Sequence, residues 1–95
     1  MREQTVANAV NITAGEIETW VMTVLAERFG VENELSPGVS LKVLGIDSLG
    51  GVQLSLALKK KYGVAFVAGE IKVDFTLGEI AALTRGKLSG HGGLS

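Results

Sequence analysis

Apolar residues recur at three- and four-residue spacing through much of this chain, and this helical period limits the possible folds more than any other feature. In the first periodic segment, Thr13 and Glu16 have the spacing of a capping box, which marks a helix start. Gly30 is suited to follow a helix end, because glycine tolerates the left-handed conformation. The pattern predicts a helix over about residues 14–29. Its predicted apolar face consists of Ile17, Trp20, Val21, Val24 and Leu25.

A second predicted helix starts at Asp47 or Ser48 and ends near Tyr62, where a glycine follows. Its wide apolar surface indicates contact with two or more neighbours. That surface consists of Leu49, Val52, Leu54, Leu56, Ala57 and Leu58. Gly50 and Gly51, in the first turn, each cost about 1 kcal/mol relative to alanine. They indicate either close approach of another surface or group to the backbone, or drift at an exposed turn.

The last predicted helix follows a second capping box, Thr76 with Glu79, and runs to about Leu88. Residues 64–67 have the composition of a strand. A single strand has no partner in a helical chain, so we predict a buried connector there.

A long loop between Gly30 and Gly45 separates the first two predicted helices. Structureless loops beyond about 12–15 residues are uncommon in compact domains. Apolar residues scattered through this loop can pin it across the helices, so we predict that it is ordered. The ends of the chain lack such a pattern, and we expect a flexible N-terminal segment (1–12), a domain (13–88) and a flexible tail or linker (89–95).

Ser48 lies where this loop meets the second helix. At a helix start, unpaired N–H groups and the positive end of the helix dipole, equivalent to about half a charge, favour a negatively charged group such as phosphate. An exposed hydroxyl at this position therefore suits phosphorylation-like chemistry.

The composition excludes several kinds of chemistry. The chain has no cysteine, so it has no disulfide, no thiolate metal site and no cysteine nucleophile. Its only histidine, His91, lies in the glycine-rich end and is not placed to activate a serine. The carboxylates lack the spacing of metal ligands. We therefore expect no catalytic residue and no metal site.

Charge and hydropathy bear on the partners of the chain. The formal net charge is −1 at pH 7, which provides no general attraction to nucleic acid or to anionic membranes. No segment approaches the roughly 18 consecutive apolar residues of a membrane-spanning helix, and the first twelve residues do not have the pattern of a signal peptide. We expect a cytoplasmic protein without nucleic-acid or membrane partners.

The segment Gly45-Ile46-Asp47-Ser48-Leu49, with the apolar helix that follows it, resembles the acyl carrier proteins of fatty acid and polyketide synthesis. The resemblance covers roughly residues 17–88. The flanking matches are Ser40-Leu41, Leu44-Gly45, Lys59-Lys60-Lys61-Tyr62-Gly63, and Phe75-Thr76 with Ile80-Ala81-Ala82-Leu83. It implies an all-α fold: a small four-helix bundle of three long helices and one short one, with the long ordered loop between helices one and two. The short helix, or a single turn, would occupy residues 69–73.

The resemblance also implies a cofactor and a set of partners. A phosphopantetheinyl transferase would move phosphopantetheine from coenzyme A to Ser48. Asp47 would help to cap the helix and present the serine, and Leu49 would anchor the helix start and offer an apolar edge to the transferase. Acyl groups would then be carried as thioesters to an acyltransferase, a ketosynthase and other synthase enzymes. The chain itself would be a monomeric carrier rather than an enzyme.

The charges of the second helix differ from those of free-standing fatty-acid carriers that resemble this sequence. Those carriers have acidic residues at the end of this helix and usually at the place of Gln53, whereas this chain has three consecutive lysines at the helix end. Lysines there are typical of a solvated helix end, where positive charge complements the dipole. We therefore expect a carrier of polyketide or related natural-product synthesis that docks mainly through apolar contacts. The candidate docking residues are Leu49, Val52, Gln53, Leu56, Lys59 and Lys60.

Two alternatives remain. A peptidyl carrier of non-ribosomal synthesis would have the same fold and arm, but such domains more often have Gly-Gly-x-Ser-Leu, so Ile46-Asp47 favours acyl cargo. The chain could also be a helical interaction module, in which Ser48 is a plain N-cap that contributes about 1 kcal/mol.

Overall fold

The computed structural model describes residues 12–94, which form three α-helices: α1 (Ala14–Glu27), α2 (Ser48–Tyr62) and α3 (Leu77–Leu94). Within that range no strand is present, which confirms the predicted all-α class. The predicted flexible N-terminal segment lies outside the described residues except for Ile12.

The described part of the chain contains three helices rather than the expected four. Residues 69–73 form turns instead of a short helix. Gly69 has a φ of 79°, which helical residues do not adopt, and the Glu70 N–H closes a turn on the Val67 carbonyl oxygen at 3.0 Å. A second turn closes from the Phe75 N–H to the Lys72 carbonyl oxygen, also at 3.0 Å. Each turn is closed separately, so no helix propagates between them.

The capping box predicted for α1 is present. Thr13 Oγ1 accepts a hydrogen bond from the Glu16 N–H at 3.1 Å, and Glu16 Oε1 accepts one from the Thr13 N–H at 3.2 Å. The helix ends at Glu27, two residues before the predicted end. Gly30 follows with a φ of 69°, and the Val31 N–H donates back into the last turn. The left-handed glycine was predicted correctly.

The ends of the other two helices agree with prediction, except for the C-terminal end of α3. α2 ends at Tyr62, and Gly63 follows it with a φ of 75°. Thr76 and Glu79 form the reciprocal bonds of a capping box, at 2.8 and 3.1 Å. α3, however, continues through residues 89–94, where we predicted a flexible tail. No proline follows Leu88, so the main-chain hydrogen bonds continue, and glycine weakens a helix without ending it.

A single core holds the helices together. α1 and α3 pack against each other, and α2 and the loops contribute buried side chains. The buried apolar cluster consists of Ile17, Val21, Val24, Leu25, Leu41, Leu54, Leu58, Ile71, Leu77, Ile80 and Ala81. Thr84 is also fully buried, and its hydroxyl is satisfied because it donates to the Ile80 carbonyl oxygen at 2.9 Å.

The segment between α1 and α2 is tied to the start of α3. The Leu77 N–H donates to the Val39 carbonyl oxygen at 2.9 Å, and the Gly78 N–H donates to the Pro37 carbonyl oxygen at 2.8 Å. Leu41 is fully buried in the core. Because these contacts hold the loop against α3, they also fix where α2 begins.

The predicted buried connector at residues 64–67 is only partly correct. Val64 is buried, but the side chain of Val67 is 72% exposed. The difference arises because Val67 begins the turn at residues 67–70, which projects from the core.

Candidate functional site

The start of α2 is capped by Asp47, not by Ser48. Asp47 has an extended backbone, and its Oδ1 accepts a hydrogen bond from the Gly50 N–H at 3.0 Å. Its carbonyl oxygen accepts from the Gly51 N–H, also at 3.0 Å. Ser48 is therefore the first residue of the helix, and its hydroxyl is not used for capping.

Ser48 is exposed, and its hydroxyl makes no hydrogen bond within residues 12–94. The backbone N–H groups of Ser48 and Leu49 also have no acceptor in that part of the chain. These are the groups that carry the positive end of the helix dipole. The serine oxygen and the electropositive helix end are thus open to solvent side by side.

The two glycines of the first turn have an internal structural role. Both are buried, and a Cβ on Gly50 would collide with Cγ2 of Ile46. A Cβ on Gly51 would lie 3.4 Å from the Ile71 carbonyl oxygen. Neither an exposed turn nor the approach of a partner explains them, because the chain's own loops approach the helix here. The signal available in the sequence was the four-residue spacing from Gly50 to Leu54, since both lie on the buried face.

The outer face of α2 carries the predicted docking residues. Leu49 is 64% exposed, Leu56 is 59% exposed and Val52 is 42% exposed. We had expected Leu49 to anchor the helix start, but its exposed side chain does not do so. The Asp47 cap and the buried glycines hold the helix start instead. The remaining predicted docking residues, also exposed, are Gln53, Lys59 and Lys60.

An open cleft of about 570 Å³ lies beside Ser48, between α2 and residues 66–71. Its α2 side includes Val52 and Leu56. Its opposite wall includes Phe66 and the exposed Val67. Sequence reasoning missed Val67 as a surface residue, because a short apolar run has the same appearance whether its last side chain is buried or exposed.

Glu70 and Lys87 fasten the far wall of this cleft to α3. Lys87 Nζ lies 2.9 Å from Glu70 Oε2 and 5.1 Å from the centroid of the Phe66 ring. The Val67 N–H donates to Glu70 Oε1 at 3.0 Å. The hydrogen bond from Lys87, with that from the Val67 N–H, holds the pKa of the Glu70 carboxyl below its usual value.

No group of three histidine, cysteine, aspartate or glutamate side chains is placed to hold a metal ion within residues 12–94. In the same part of the chain, each helix is too short or too polar to cross a lipid bilayer.

Comparison with known proteins defines the class of this site. Residues 19–84 match the family model described as a phosphopantetheine attachment site. The chain is also similar to the non-reducing polyketide synthase spyA of Aspergillus fumigatus, with 31% identity over 70 residues. That alignment covers 70% of this chain but only 4% of the synthase. No solved structure matches the chain.

The chain therefore belongs to the phosphopantetheine-binding carrier family, whose members bear this group covalently. Such a domain carries the group and is not itself a catalyst. The start of α2 fits the attachment of a phosphate-containing arm, because an unbonded serine hydroxyl lies next to free backbone N–H groups.

Proposed function

We propose that this chain is an acyl carrier domain of polyketide synthesis and that Ser48 bears its phosphopantetheine. The observation that carries the proposal is the exposed Ser48 hydroxyl, released from capping because Asp47 binds the Gly50 N–H in its place. The similarity to a protein named as a non-reducing polyketide synthase supports the pathway.

The role of Ser48 is to accept the arm. Its Oγ forms a bond to the pantetheine-side phosphorus of coenzyme A while the bond from that phosphorus to the bridging pyrophosphate oxygen breaks. Adenosine 3′,5′-bisphosphate is the leaving group, and the hydroxyl proton passes to a base. A serine hydroxyl is a weak nucleophile without a base. We assign that base to the transferase, because the only histidine of the chain, His91, lies in its glycine-rich end. Once attached, the arm supplies the thiol on which growing acyl groups are held as thioesters.

The rest of the site presents the loaded serine to partner enzymes. The Asp47 cap and the buried glycines fix the direction of the first turn, so the attachment point does not depend on loop motion. The exposed side chains of Leu49, Val52 and Leu56 form an apolar surface that begins next to Ser48. We assign this surface to contact with the transferase, an acyltransferase and a ketosynthase, since apolar side chains in a polar rim are typical of interfaces.

Modification of Ser48 is the direct test. The purified chain, incubated with coenzyme A and a broad-specificity phosphopantetheinyl transferase, is expected to gain one phosphopantetheine by intact-protein mass spectrometry. Ser48→Ala is expected to gain none. Ser55→Ala is the matched control in the same helix, because the Ser55 hydroxyl is already bonded to the Val52 carbonyl oxygen at 2.7 Å. Loading of Ser48→Ala, or none of the wild type, contradicts the proposal.

The same preparation separates the alternatives. Loading from malonyl but not aminoacyl donors supports an acyl carrier, as Ile46-Asp47 ahead of the serine favours. The reverse preference indicates a peptidyl carrier. A helical interaction module would not be modified at all, and Ser48→Ala would then change only stability.

A further inference from the structure

Basic side chains from α2 and from the residue after α1 meet at the end of α2 farthest from Ser48. Arg28, immediately after α1, lies with Lys60 and Lys61 of α2 around a shallow cleft of about 270 Å³. Trp20 and Ala57 provide its apolar floor. We call these five residues the basic patch. Sequence analysis had considered only the lysine run, and the fold adds an arginine and a tryptophan to it.

The cations of the basic patch are exposed and have no ion-pair partner within residues 12–94. Among the described residues, no carboxylate oxygen lies within 4.0 Å of the charged nitrogens of Arg28, Lys60 or Lys61. Lys61 Nζ lies 6.0 Å from the centroid of the Trp20 ring, at the outer limit of a cation–π contact. A cation that is already paired with a carboxylate attracts a partner only weakly. These three cations have no such pair among the described residues, so their charge can attract an acidic partner.

The tryptophan in the floor of the basic patch packs against a second aromatic ring. The Trp20 ring packs edge to face on Tyr62, with centroids 5.6 Å apart and an interplanar angle of 76°. Burial raises the pKa of the Tyr62 phenol, and the Glu16 carboxylate raises it further. Tryptophan and arginine are the residue types that most often dominate the energy of protein interfaces.

The distance to Ser48 indicates the kind of partner. Lys60 lies twelve residues after Ser48, which corresponds to about 18 Å along the helix axis. A small anion bound at the basic patch would not touch the attachment site. A partner enzyme that receives the arm from Ser48 can span this distance along α2 within an interface of ordinary size.

We propose that the basic patch docks an acidic surface of the partner ketosynthase while the arm on Ser48 enters its active site. This inference rests on the proposed function and adds the charge and position of the docking surface. Complementary charge accelerates encounter and fixes the orientation of two proteins. Nucleic acid fits less well, because the basic patch has only three cations, whereas proteins that bind nucleic acid strongly contact about 6–10 phosphates.

The experiment uses the chain carrying phosphopantetheine, with a polyketide ketosynthase that accepts its acyl thioester as substrate. Arg28→Glu/Lys61→Glu is compared with Lys42→Glu/Lys72→Glu, which makes the same change in net charge at two exposed loop lysines outside the basic patch. At about 50 mM salt the first variant is expected to raise KM for the carrier about tenfold with kcat unchanged, and the control to change KM less than twofold. For the wild type, KM is expected to rise with salt toward the variant's value.

Each outcome of this experiment either supports or overturns the docking inference. Normal loading of Ser48 with unchanged KM in Arg28→Glu/Lys61→Glu overturns the docking inference alone, and so does an equal effect of the control. Failure of wild-type loading overturns the proposed function and this inference with it.

Binding of a mixed-sequence single-stranded RNA that the variant loses, with unchanged ketosynthase kinetics, assigns the basic patch to nucleic acid instead. Should the charge reversal unfold the chain by circular dichroism, Arg28→Gln/Lys61→Gln replaces it, with a smaller rise in KM expected.

Discussion

At the scale of single residues, adjacent side chains at the start of α2 have different roles: one caps the helix and the other presents its hydroxyl to solvent. Asp47 binds the Gly50 N–H and stabilises the helix start, so Ser48 keeps an unbonded hydroxyl. Gly50 and Gly51 let the preceding loop and the segment around Ile71 lie close against the same turn. The backbone of Ser48 is thus held in place by its neighbours, while its own side chain remains free of hydrogen bonds in the described part of the chain.

Gly50→Ala tests this close approach. Alanine gains about 1 kcal/mol of helix propensity over glycine, but the new Cβ would collide with Cγ2 of Ile46, a β-branched side chain with little freedom to move. We expect a net loss of about 1–3 kcal/mol in the free energy of unfolding, measured by urea denaturation.

Gly86→Ala provides the matched control for Gly50→Ala. Gly86 lies within α3, is exposed, and a Cβ there would meet no atom within 4 Å. Its replacement is expected to raise the free energy of unfolding by up to about 1 kcal/mol. Equal effects of the two substitutions would contradict the packing role of Gly50. In the double variant with Ile46→Ala, the penalty at Gly50 should shrink.

At the scale of elements, two connections decide the shape of the site. Hydrogen bonds from the start of α3 to residues 37 and 39 hold the first loop. The Glu70–Lys87 ion pair holds the turn that forms the far wall of the cleft beside Ser48. In both cases α3, which does not contain the serine, positions the segments on either side of α2.

Removal of the ion pair is expected to have a pH-dependent effect. The pKa of Glu70 is below its ordinary value of 4.5 in the folded chain, so ionised Glu70 stabilises the fold above that pH. The stabilisation is lost as the pH falls through the lowered folded pKa. Because the pair is partly exposed, Glu70→Gln should cost less than about 1 kcal/mol at pH 7 and almost nothing at about pH 2. Urea denaturation at both pH values measures this.

A double-mutant cycle identifies Lys87 as the cause of the Glu70 effect. Lys87→Gln should show a similar loss at neutral pH, and the double variant should cost less than the sum of the two single variants. A difference between wild type and Glu70→Gln that grew as the pH fell below 4.5 would contradict this account.

At the scale of the whole molecule, α2 has one face in the core and one face available to partners. Leu54 and Leu58 are fully buried in the core cluster, whereas Leu49 and Leu56 are exposed. Ser48 lies at the N-terminal end of α2, and the basic patch lies near its C-terminal end. One helix therefore supports the core and displays the attachment point.

Leu54→Ala and Leu56→Ala separate these two roles within three residues. Leu54→Ala removes a fully buried side chain and should cost about 2–5 kcal/mol of unfolding free energy. Leu56→Ala should change that free energy by less than about 0.5 kcal/mol. Its effect should appear instead as a higher KM for the loaded carrier with a partner enzyme. A large stability loss in Leu56→Ala would contradict the division of faces.

Local patterns in the sequence predicted the three helices, except for the C-terminal end of α3. Both capping boxes and the left-handed glycines at residues 30 and 63 were identified correctly, because caps and stop signals depend on residues within one turn. The same locality made Ser48 identifiable as a residue at a helix start. The motif around it indicated the carrier family, to which the comparison assigns the chain.

What the sequence alone determined is therefore the class of fold, the approximate course of each helix and the candidate serine. Only the tertiary structure decided that Gly50 and Gly51 are buried, that Val67 is exposed and that Arg28 joins the lysines of α2. These facts depend on contacts between segments distant in the chain. Helical periodicity specifies which residues share a face, but the neighbours packed against the helix determine which face is covered.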